Sequence, residues 1–492
     1  MADPTCVIIG GGPAGMMLGL LLARAGVRVE VLERHGDFLR DFRGDTVHPS
    51  TLRLLDELGL GRRFEELPHS RLDEIRWPVD AHRSVVLADL RRLRQPHPYI
   101  AMVPQWDLLN LLADAARQEP SFTLRMNTEV TGLINESGRV RGVRYRTADG
   151  TTGELPAALT VACDGRWSIA HTDARLQPRE FPVPMDAWWF RLPRLPQDGN
   201  ALTPRAALGR LAVVIPRAGY LQIAYLAEKG ADQRLRAAGI EHFRRDLAAL
   251  LPEVADRLGA LASMDDVKHL DVRLNRLRRW HTDGLLCIGD AAHAMSPVGG
   301  VGINLAVQDA VAAATLLAGP LRHGPPTPAA LAAVRARRLL PTVAVQAMQR
   351  LLHRGLIAPA IAGRRVGPPA AVLALLRRFP RLSVVPAYLI GVGIRSEHAP
   401  RFARGYSLQG GEGHDRQTDD VKEMTMKAKV GDRIIEEGTH VGDHRRVGVV
   451  TALRHDDGTP PYEVHWLDTG NDALVFPGVD ARVEPGKSSK SG

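Results

Sequence analysis

Two glycine-rich turns, each set between an apolar run and a helical pattern, carry the clearest chemistry in this chain. The first is Gly10-Gly11-Gly12-Pro13-Ala14-Gly15, which matches G-x-G-x-x-G at Gly10, Gly12 and Gly15. The first glycine of such a turn allows the tight reversal. The second lets backbone N–H groups approach a pyrophosphate at a helix N-terminus, and the third lets helix and strand pack closely. Cys6-Val7-Ile8-Ile9 before it reads as a buried strand, and an Ala/Leu-rich helix follows to about Ala25, where Gly26 stops it. Val27 to Leu32 alternates as a second strand and runs into Glu33 and Arg34. A carboxylate there can accept both ribose hydroxyls of an adenosine. Strand, turn, helix, strand and acid in this order favour a dinucleotide site. The motif alone does not separate NAD from FAD, and Glu33 alone is also compatible with a surface acid beside Arg34.

The second turn is Gly289-Asp290-Ala291-Ala292-His293, after the buried-strand pattern Leu285 to Ile288. Pro297 and Gly299-Gly300-Val301-Gly302-Ile303-Asn304 come next, and Gln308-Asp309-Ala310 lies on a helix from Ile303 to about Leu317. Earlier in the chain, Cys163-Asp164-Gly165-Arg166-Trp167-Ser168 follows a strand pattern at Leu159 to Ala162. An Asp-Gly pair alone marks only a turn.

Taken together, these segments resemble the para-hydroxybenzoate hydroxylase-like (class A) family of FAD-dependent monooxygenases, over roughly Thr5 to Arg350. The resemblance implies FAD as cofactor, with Gly10, Gly12, Pro13, Ala14 and Gly15 at the pyrophosphate and Glu33 and Arg34 at the adenosine end. It implies that Asp290, after Gly289, holds the ribityl chain. Gly300, Gly302 and Ile303 then face the flavin pyrimidine edge with a helix N-terminus that stabilises the anionic reduced flavin, with Asn304 near that edge. By the same resemblance Asp164 and Gly165 shape the backbone near the pyrophosphate and the nicotinamide approach; Cys163 stands where the family has Gly or Ala. Arg43 lies over the FAD, Gln105 contacts the ribityl chain, and Pro297 offers a backbone carbonyl near the reacting atoms. Without the resemblance, Arg43 reads equally as a surface salt-bridge partner and Gln105 as a first-turn polar residue.

The implied reaction consumes NADPH or NADH and O2 and hydroxylates an aromatic or other electron-rich small molecule through a flavin C4a-hydroperoxide, in a site that excludes water. A second G-x-G-x-x-G is absent from the sequence, as expected for a family without a separate nicotinamide domain. His48 and His293 lie near the motifs and read as structural hydrogen-bonding residues, so no catalytic base is assigned. Two alternatives stand beside this reading. One is a reductase or dehydrogenase on the same scaffold; a halogenase is disfavoured by the missing Trp-x-Trp-x-Ile-Pro motif. The other is a flavoprotein with a binding or regulatory role carried by its C-terminal part.

The elements that must position these groups follow an α/β pattern: a Rossmann-like FAD-binding domain with an inserted β-rich substrate lobe and C-terminal helices. The expected unit is 1–409, with the lobe at about 70–100 and 181–280. Ser50 is expected to cap a helix to about Leu58, Trp106 to Arg117 reads as helix, and Leu124 to Arg146 as strands. Thr327 to Leu352 reads as a helix that Pro341 should kink or split. Trp188, Trp189 and Phe190 either line the substrate pocket or, preferably, pack in the lobe's core. Their surroundings, Pro182 to Arg191, look like those of uncharacterised bacterial FAD oxidoreductases. Residues 410–425 read as a linker, 426–485 as a small all-β, SH3-like barrel, and 486–492 as a disordered tail. The barrel segment resembles small stand-alone bacterial proteins of unknown function.

Composition narrows the classes. The net charge of +9 is carried mostly by arginine, which suits an anionic partner such as a dinucleotide and equally a solvated basic surface. No basic stripe interleaved with aromatics suggests nucleic-acid binding. Cys6, Cys163 and Cys287 have neither metal-ligand nor redox-pair spacing, so they read as core residues and no metal is expected. The N-terminal residues lack a signal-peptide pattern and no uncharged run reaches membrane-spanning length, which points to a cytoplasmic enzyme. Leu351 to Ile394 is apolar but punctuated by Arg364, Arg365, Arg377, Arg378 and Arg381. Such a segment can lie on a membrane or cover a lipophilic site; helices packed on the FAD domain are the preferred reading. Substrate identity and oligomeric state are not legible here.

Overall fold

Short, wholly apolar strands with both faces buried need helices on both sides, and that requirement organises the larger part of the chain. The computed structural model describes residues 5–38, 46–79, 83–199, 202–207, 209–217, 219–364, 367–404, 428–436, 446–453, 462–467, 472–475 and 481–484. The elements that frame the site are β1 (Cys6–Ile9), α1 (Pro13–Arg24), β2 (Val29–Leu32), α2 (Pro49–Glu57), β3 (Phe122–Arg125), β4 (Leu159–Ala162), β5 (Leu285–Cys287), α3 (Gly302–His323) and α4 (Pro328–Leu352). The central sheet has the order β3-β2-β1-β4-β5, all parallel, with His281–Thr282 added antiparallel beyond β5. Cβ atoms of Gly19 on α1 would collide with Val31 and Phe122, so the helix lies directly on the sheet because that position has no side chain. Every residue of α1 from Ala14 to Ala23 is buried, which explains a helix that is apolar all round. Pro13 at its first turn fits the fixed φ of proline, and Gly26 at φ +74° ends it.

An antiparallel meander of Thr128–Glu136, Arg139–Thr147 and Thr152–Pro156 leads into β4. The inserted lobe is a five-stranded antiparallel sheet in the order Thr203–Ala207, Arg210–Pro216, Tyr220–Glu228, Met185–Pro193, Lys268–Leu270. One face buries Trp188, Phe190 and Tyr225 against Phe243 and Leu247 of the helix Asp232–Leu250. The period of two sends Trp189 to the opposite face, where it packs with Met185, Ala187 and Leu226. So Trp188 and Phe190 are core residues and Trp189 alone of the three faces inward to the rest of the unit.

Two local expectations change. Ser50 lies inside α2, and His48 occupies the N-cap; the helix needs no hydroxyl cap there because Pro49 supplies the first turn. The helix α4 begins after Thr327, which caps it through a hydroxyl that accepts from Ala330 N. It is not split at Pro341, which is buried within one continuous helix, so packing outweighs the lost hydrogen bond. Among the described residues one helix, α3, is long and apolar enough to cross a membrane, and 72% of its most apolar window is buried inside the unit.

By contact the chain divides into Met1–Leu408 and Gln409–Gly492. Among the described residues the smaller unit holds five short antiparallel strands in the order Asp472–Val475, Tyr462–Trp466, Arg446–Leu453, Arg433–Glu436, Ala481–Glu484 around Ile434, Val450, Tyr462, Val464 and Trp466. The expected linker, 410–425, and tail, 486–492, lie outside the described residues.

Candidate functional site

The site grows from the C-terminal ends of four neighbouring parallel strands, the place where open α/β sheets take ligands. β2 ends at Glu33, β1 at the Gly10–Gly15 turn, β4 at Cys163-Asp164-Gly165, and β5 at Gly289-Asp290. The contacts between these turns are close. A Cβ on Gly10 would sit 2.8 Å from the Cys163 carbonyl oxygen, and one on Gly289 would sit 3.2 Å from the Ala14 Cβ. A Cβ on Gly15 would sit 2.0 Å from the Gly10 carbonyl oxygen. Three motifs spread over nearly 300 residues of sequence therefore touch one another because of glycine.

The same turns leave space on their outer side. A Cβ on Gly12 or Gly165 would meet nothing within 4 Å. No side chain caps the N-terminus of α1 at Gly12, and its first turn holds no acid. Unfilled room beside N–H groups at the positive end of a buried helix suits a pyrophosphate. Asp164 Oδ1 is buried with no hydrogen-bond partner, while its Oδ2 accepts from Ile169 N at 2.8 Å. Burial pushes the Asp164 carboxyl up; hydrogen bonds from Ser168 and Ile169 oppose this. Asp290 is a third exposed, with the Arg166 guanidinium 3.8 Å from Oδ2. Arg166, inside the Cys163–Ser168 segment but given no role there, joins the site and also donates to Asp271 O at 2.8 Å. The donors, the open glycines and the orphaned acceptor fit an FAD.

Other expected residues fall differently. Glu33 is 7% exposed and already accepts from Gly11 N at 2.9 Å through Oε2, and from His35 N and Nδ1 through Oε1. It thus braces the glycine turn. Arg34 is exposed beside it. Arg43 lies outside the described residues. Gln105 is half-buried at the start of its helix. Asn304 is 6% exposed and its Oδ1 accepts from Ser50 Oγ at 3.0 Å and Thr51 Oγ1 at 2.5 Å. Those bonds tie α2 to α3, so the amide oxygen is turned into protein and not toward an open edge.

The turn 297–302 is held from outside. Gly300, at φ +63°, donates N–H to Pro297 O, and its own carbonyl accepts from Thr46 Oγ1 at 2.8 Å. His48 is fully buried between two carbonyls, with Nδ1 2.7 Å from Ile390 O and Nε2 3.0 Å from Gly300 O. A neutral imidazole donates to only one of them. Burial holds the His48 pKa below its ordinary value, with the two carbonyls opposing. Its role is structural, as is that of His293. His293 Nε2 lies 2.6 Å from Asp309 Oδ2, which also accepts from Gly289 N at 3.1 Å, and Arg338 Nε donates to Asp309 Oδ1 at 2.9 Å. All three side chains are essentially inaccessible. Burial would raise the Asp309 carboxyl, but His293 and Arg338 outweigh it and hold it low. Val298, next to Pro297, packs against Met185, Ala187 and Leu226 on the lobe's inner face, beside Trp189. Trp189 Nε1 is buried with no acceptor. The three cysteines are unpaired, and burial pushes the Cys6 thiol up to about 12. No group of metal-ligating side chains forms among the described residues.

Comparison with known proteins agrees with this geometry. A family model described as an FAD binding domain matches residues 3–348, and one described as a domain of unknown function (DUF1918) matches 426–483. The chain is similar to a 6-methylpretetramide 4-monooxygenase of Streptomyces rimosus, 34% identical over 389 residues covering 77% of this chain and 89% of that protein. Among solved structures it is similar to OxyS anhydrotetracycline hydroxylase from Streptomyces rimosus, with TM-score 0.62 and 25% identity over 79% of this chain and 76% of that one. The fold is also that of P. aeruginosa PqsL in complex with 2-aminobenzoylacetate, with TM-score 0.62 and 23% identity over 74% and 99%. The cofactor set of such enzymes is FAD with NAD(P)H and O2. On a family match that spans most of its length, this chain belongs to the para-hydroxybenzoate hydroxylase-like FAD-dependent monooxygenases.

Proposed function

We propose that the chain hydroxylates an electron-rich aromatic small molecule, using NADPH or NADH as donor. The observation that carries this is the convergence of the Gly10, Asp164 and Gly289 turns on one crevice whose far side, at Pro297-Val298, meets the apolar inner face of the lobe. Bound FAD, once reduced by NAD(P)H, supplies the electrons that activate O2, so that one oxygen atom enters the substrate and the other leaves as water.

The chain's own residues bind, orient and exclude. Gly10, Gly12, Pro13, Ala14 and Gly15 with the α1 N-terminus would hold the pyrophosphate, Glu33 the ribose, and Asp290 the ribityl hydroxyls. Asp164, Gly165 and Arg166 would close the crevice beside them. Thr46 and His48, both on the Gly300 carbonyl, keep the 297–302 turn shaped for a planar ring. The apolar cluster of Met185, Ala187, Leu226 and Val298 would keep water from the reacting centre, which a reactive oxygen donor requires. Trp189 Nε1 would donate to a substrate oxygen and orient the ring. The relatives named for 6-methylpretetramide and anhydrotetracycline make an oxygenated polycycle a reasonable first substrate class. Oxygen uptake with a panel of phenolic polycycles, using isotopically labelled O2, tests the reading. Substrate-stimulated uptake with one labelled atom in the product supports it. NAD(P)H oxidation that no panel member stimulates, with a product lacking label, contradicts it.

A further inference from the structure

Between Asp309 and Glu397 the sequence contains no acidic residue and twelve arginines. The outer part of this stretch is placed unusually. No residue of the helix Ala370–Arg378 is buried. Leu375 is 49% exposed and Phe379 51%; one turn further on, Val385 is 53% exposed and Tyr388 48%. In the next helix, Val384–Gly391, the buried residues are the small Ala387 and Gly391, with Gly391 against Leu90 and Leu93. Val384 and Ile390 pack half-buried against the unit, whereas Val385, Tyr388 and Leu389 of the same helix are exposed. A surface helix in water normally does the reverse, with its apolar stripe inward.

The apolar residues are interleaved with exposed arginines: Arg364, Arg377, Arg378 and Arg381. Among the described residues none of these four pairs with an acid. Beside them, Arg76, Arg83 and Arg377 with Ser84 line a groove of about 330 Å³. Arg76 is braced there by Glu74 and by Ser84 Oγ at 3.2 Å, which fixes its position at the groove. An apolar, aromatic and arginine-rich face with a cationic notch is matched by one kind of partner: a surface with acyl chains beneath phosphates. A second copy of the chain is a poor match, because a two-fold contact would set arginine against arginine.

We propose that the face formed by Ala370–Arg378 and Val384–Gly391 docks on an anionic phospholipid bilayer, with a lipid phosphate seated between Arg76, Arg83 and Arg377. The proposal is independent of which molecule the enzyme hydroxylates. Docking sets Leu375, Phe379, Val385 and Tyr388 at the acyl boundary and the arginines at the headgroups, so affinity needs both.

The test is co-sedimentation of the full-length, FAD-loaded protein with vesicles of phosphatidylcholine alone and of phosphatidylcholine mixed with phosphatidylglycerol. Binding is expected only to the mixed vesicles and weakens as salt is raised. Arg377→Glu, Arg378→Glu and Arg381→Glu together, or Leu375→Ser with Phe379→Ser, should each lower it by about tenfold or more while melting temperature and NAD(P)H oxidation stay unchanged. The proposal is overturned if the wild type binds both vesicle types alike or neither, or if either variant set binds as the wild type does. It is equally overturned if those substitutions abolish a lipid-free self-association in sedimentation velocity, which would assign the face to a second copy.

Discussion

Replacing Asp309 with asparagine should uncouple the β5 turn from the two helices behind it. The carboxylate gathers Gly289 N, His293 and Arg338 at 3.1, 2.6 and 2.9 Å in a site closed to solvent. Asparagine keeps the shape and one acceptor, but it removes the charge opposite Arg338. Arg338 retains Glu397, whose Oε1 is 3.5 Å from Nη1, so its charge is not stranded entirely. Breaking a buried pair costs about 3–5 kcal/mol, and the lower end, about 3 kcal/mol, applies here because of Glu397. With an unfolding entropy of roughly 2 cal/mol/K per residue over the Met1–Leu408 unit, melting should fall by about 3–4 °C. Loosening Gly289 N–H removes roughly 1 kcal/mol of order from the turn that carries Asp290, or about fivefold in FAD affinity. Differential scanning calorimetry and flavin titration of apoprotein read these two numbers. Asp309 titrates below its unfolded value, so its contribution is complete above about pH 4 and is lost as pH falls through the folded value. The gap between wild type and variant should therefore close in acid. Adding Arg338→Met should cost less than the sum of the single changes. A variant that melts within about 1 °C of wild type and binds FAD equally well would refute the network's structural role.

Three further outcomes follow from the same geometry. Gly12→Ala meets no protein atom within 4 Å, so the apoprotein should melt normally while FAD affinity falls about tenfold or more; Gly15→Ala, 2.0 Å from Gly10 O, should disrupt the turn itself, as calorimetry and flavin content will distinguish. Trp189→Phe should raise KM for substrate up to about tenfold with little change in melting, whereas Trp188→Phe, which loses a 2.8 Å bond to Asp232, should lower stability by about 1 kcal/mol and leave KM alone. Serine at Cys6 and Cys287 together should leave activity insensitive to reductant, as in wild type, because thiols this buried stay protonated; a reductant-dependent rate in wild type that the two serines remove would contradict that.

What the sequence makes legible is what has period or fixed spacing. The β1–α1–β2 opening, β4 and β5 are visible because short apolar runs bounded by glycine have few other structures available. The glycine spacing then locates the crevice before any coordinate does. Charge partnerships across long separations have no such local signature. Glu33 was legible as an acid at a strand end, but its bonds to Gly11 and His35 depend on how the turn closes. Asn304 sits at the expected place in the chain, yet Ser50 and Thr51, some 250 residues earlier, decide where its amide points. Arg338 and Glu397 carry no motif at all and join the network behind the site only through packing. The alternation at Trp188-Trp189-Phe190 implies that one aromatic faces away from the other two; only the sheet's partners reveal that Trp189 is the one turned toward Val298.

The central claim, a pyridine-nucleotide-dependent flavin enzyme, is met most directly by the visible absorption spectrum of the purified full-length protein before and after anaerobic NADPH. The account predicts the paired bands of oxidised flavin at about one FAD per chain, bleached by NADPH and restored by O2. A colourless protein that takes up no FAD on reconstitution would contradict it.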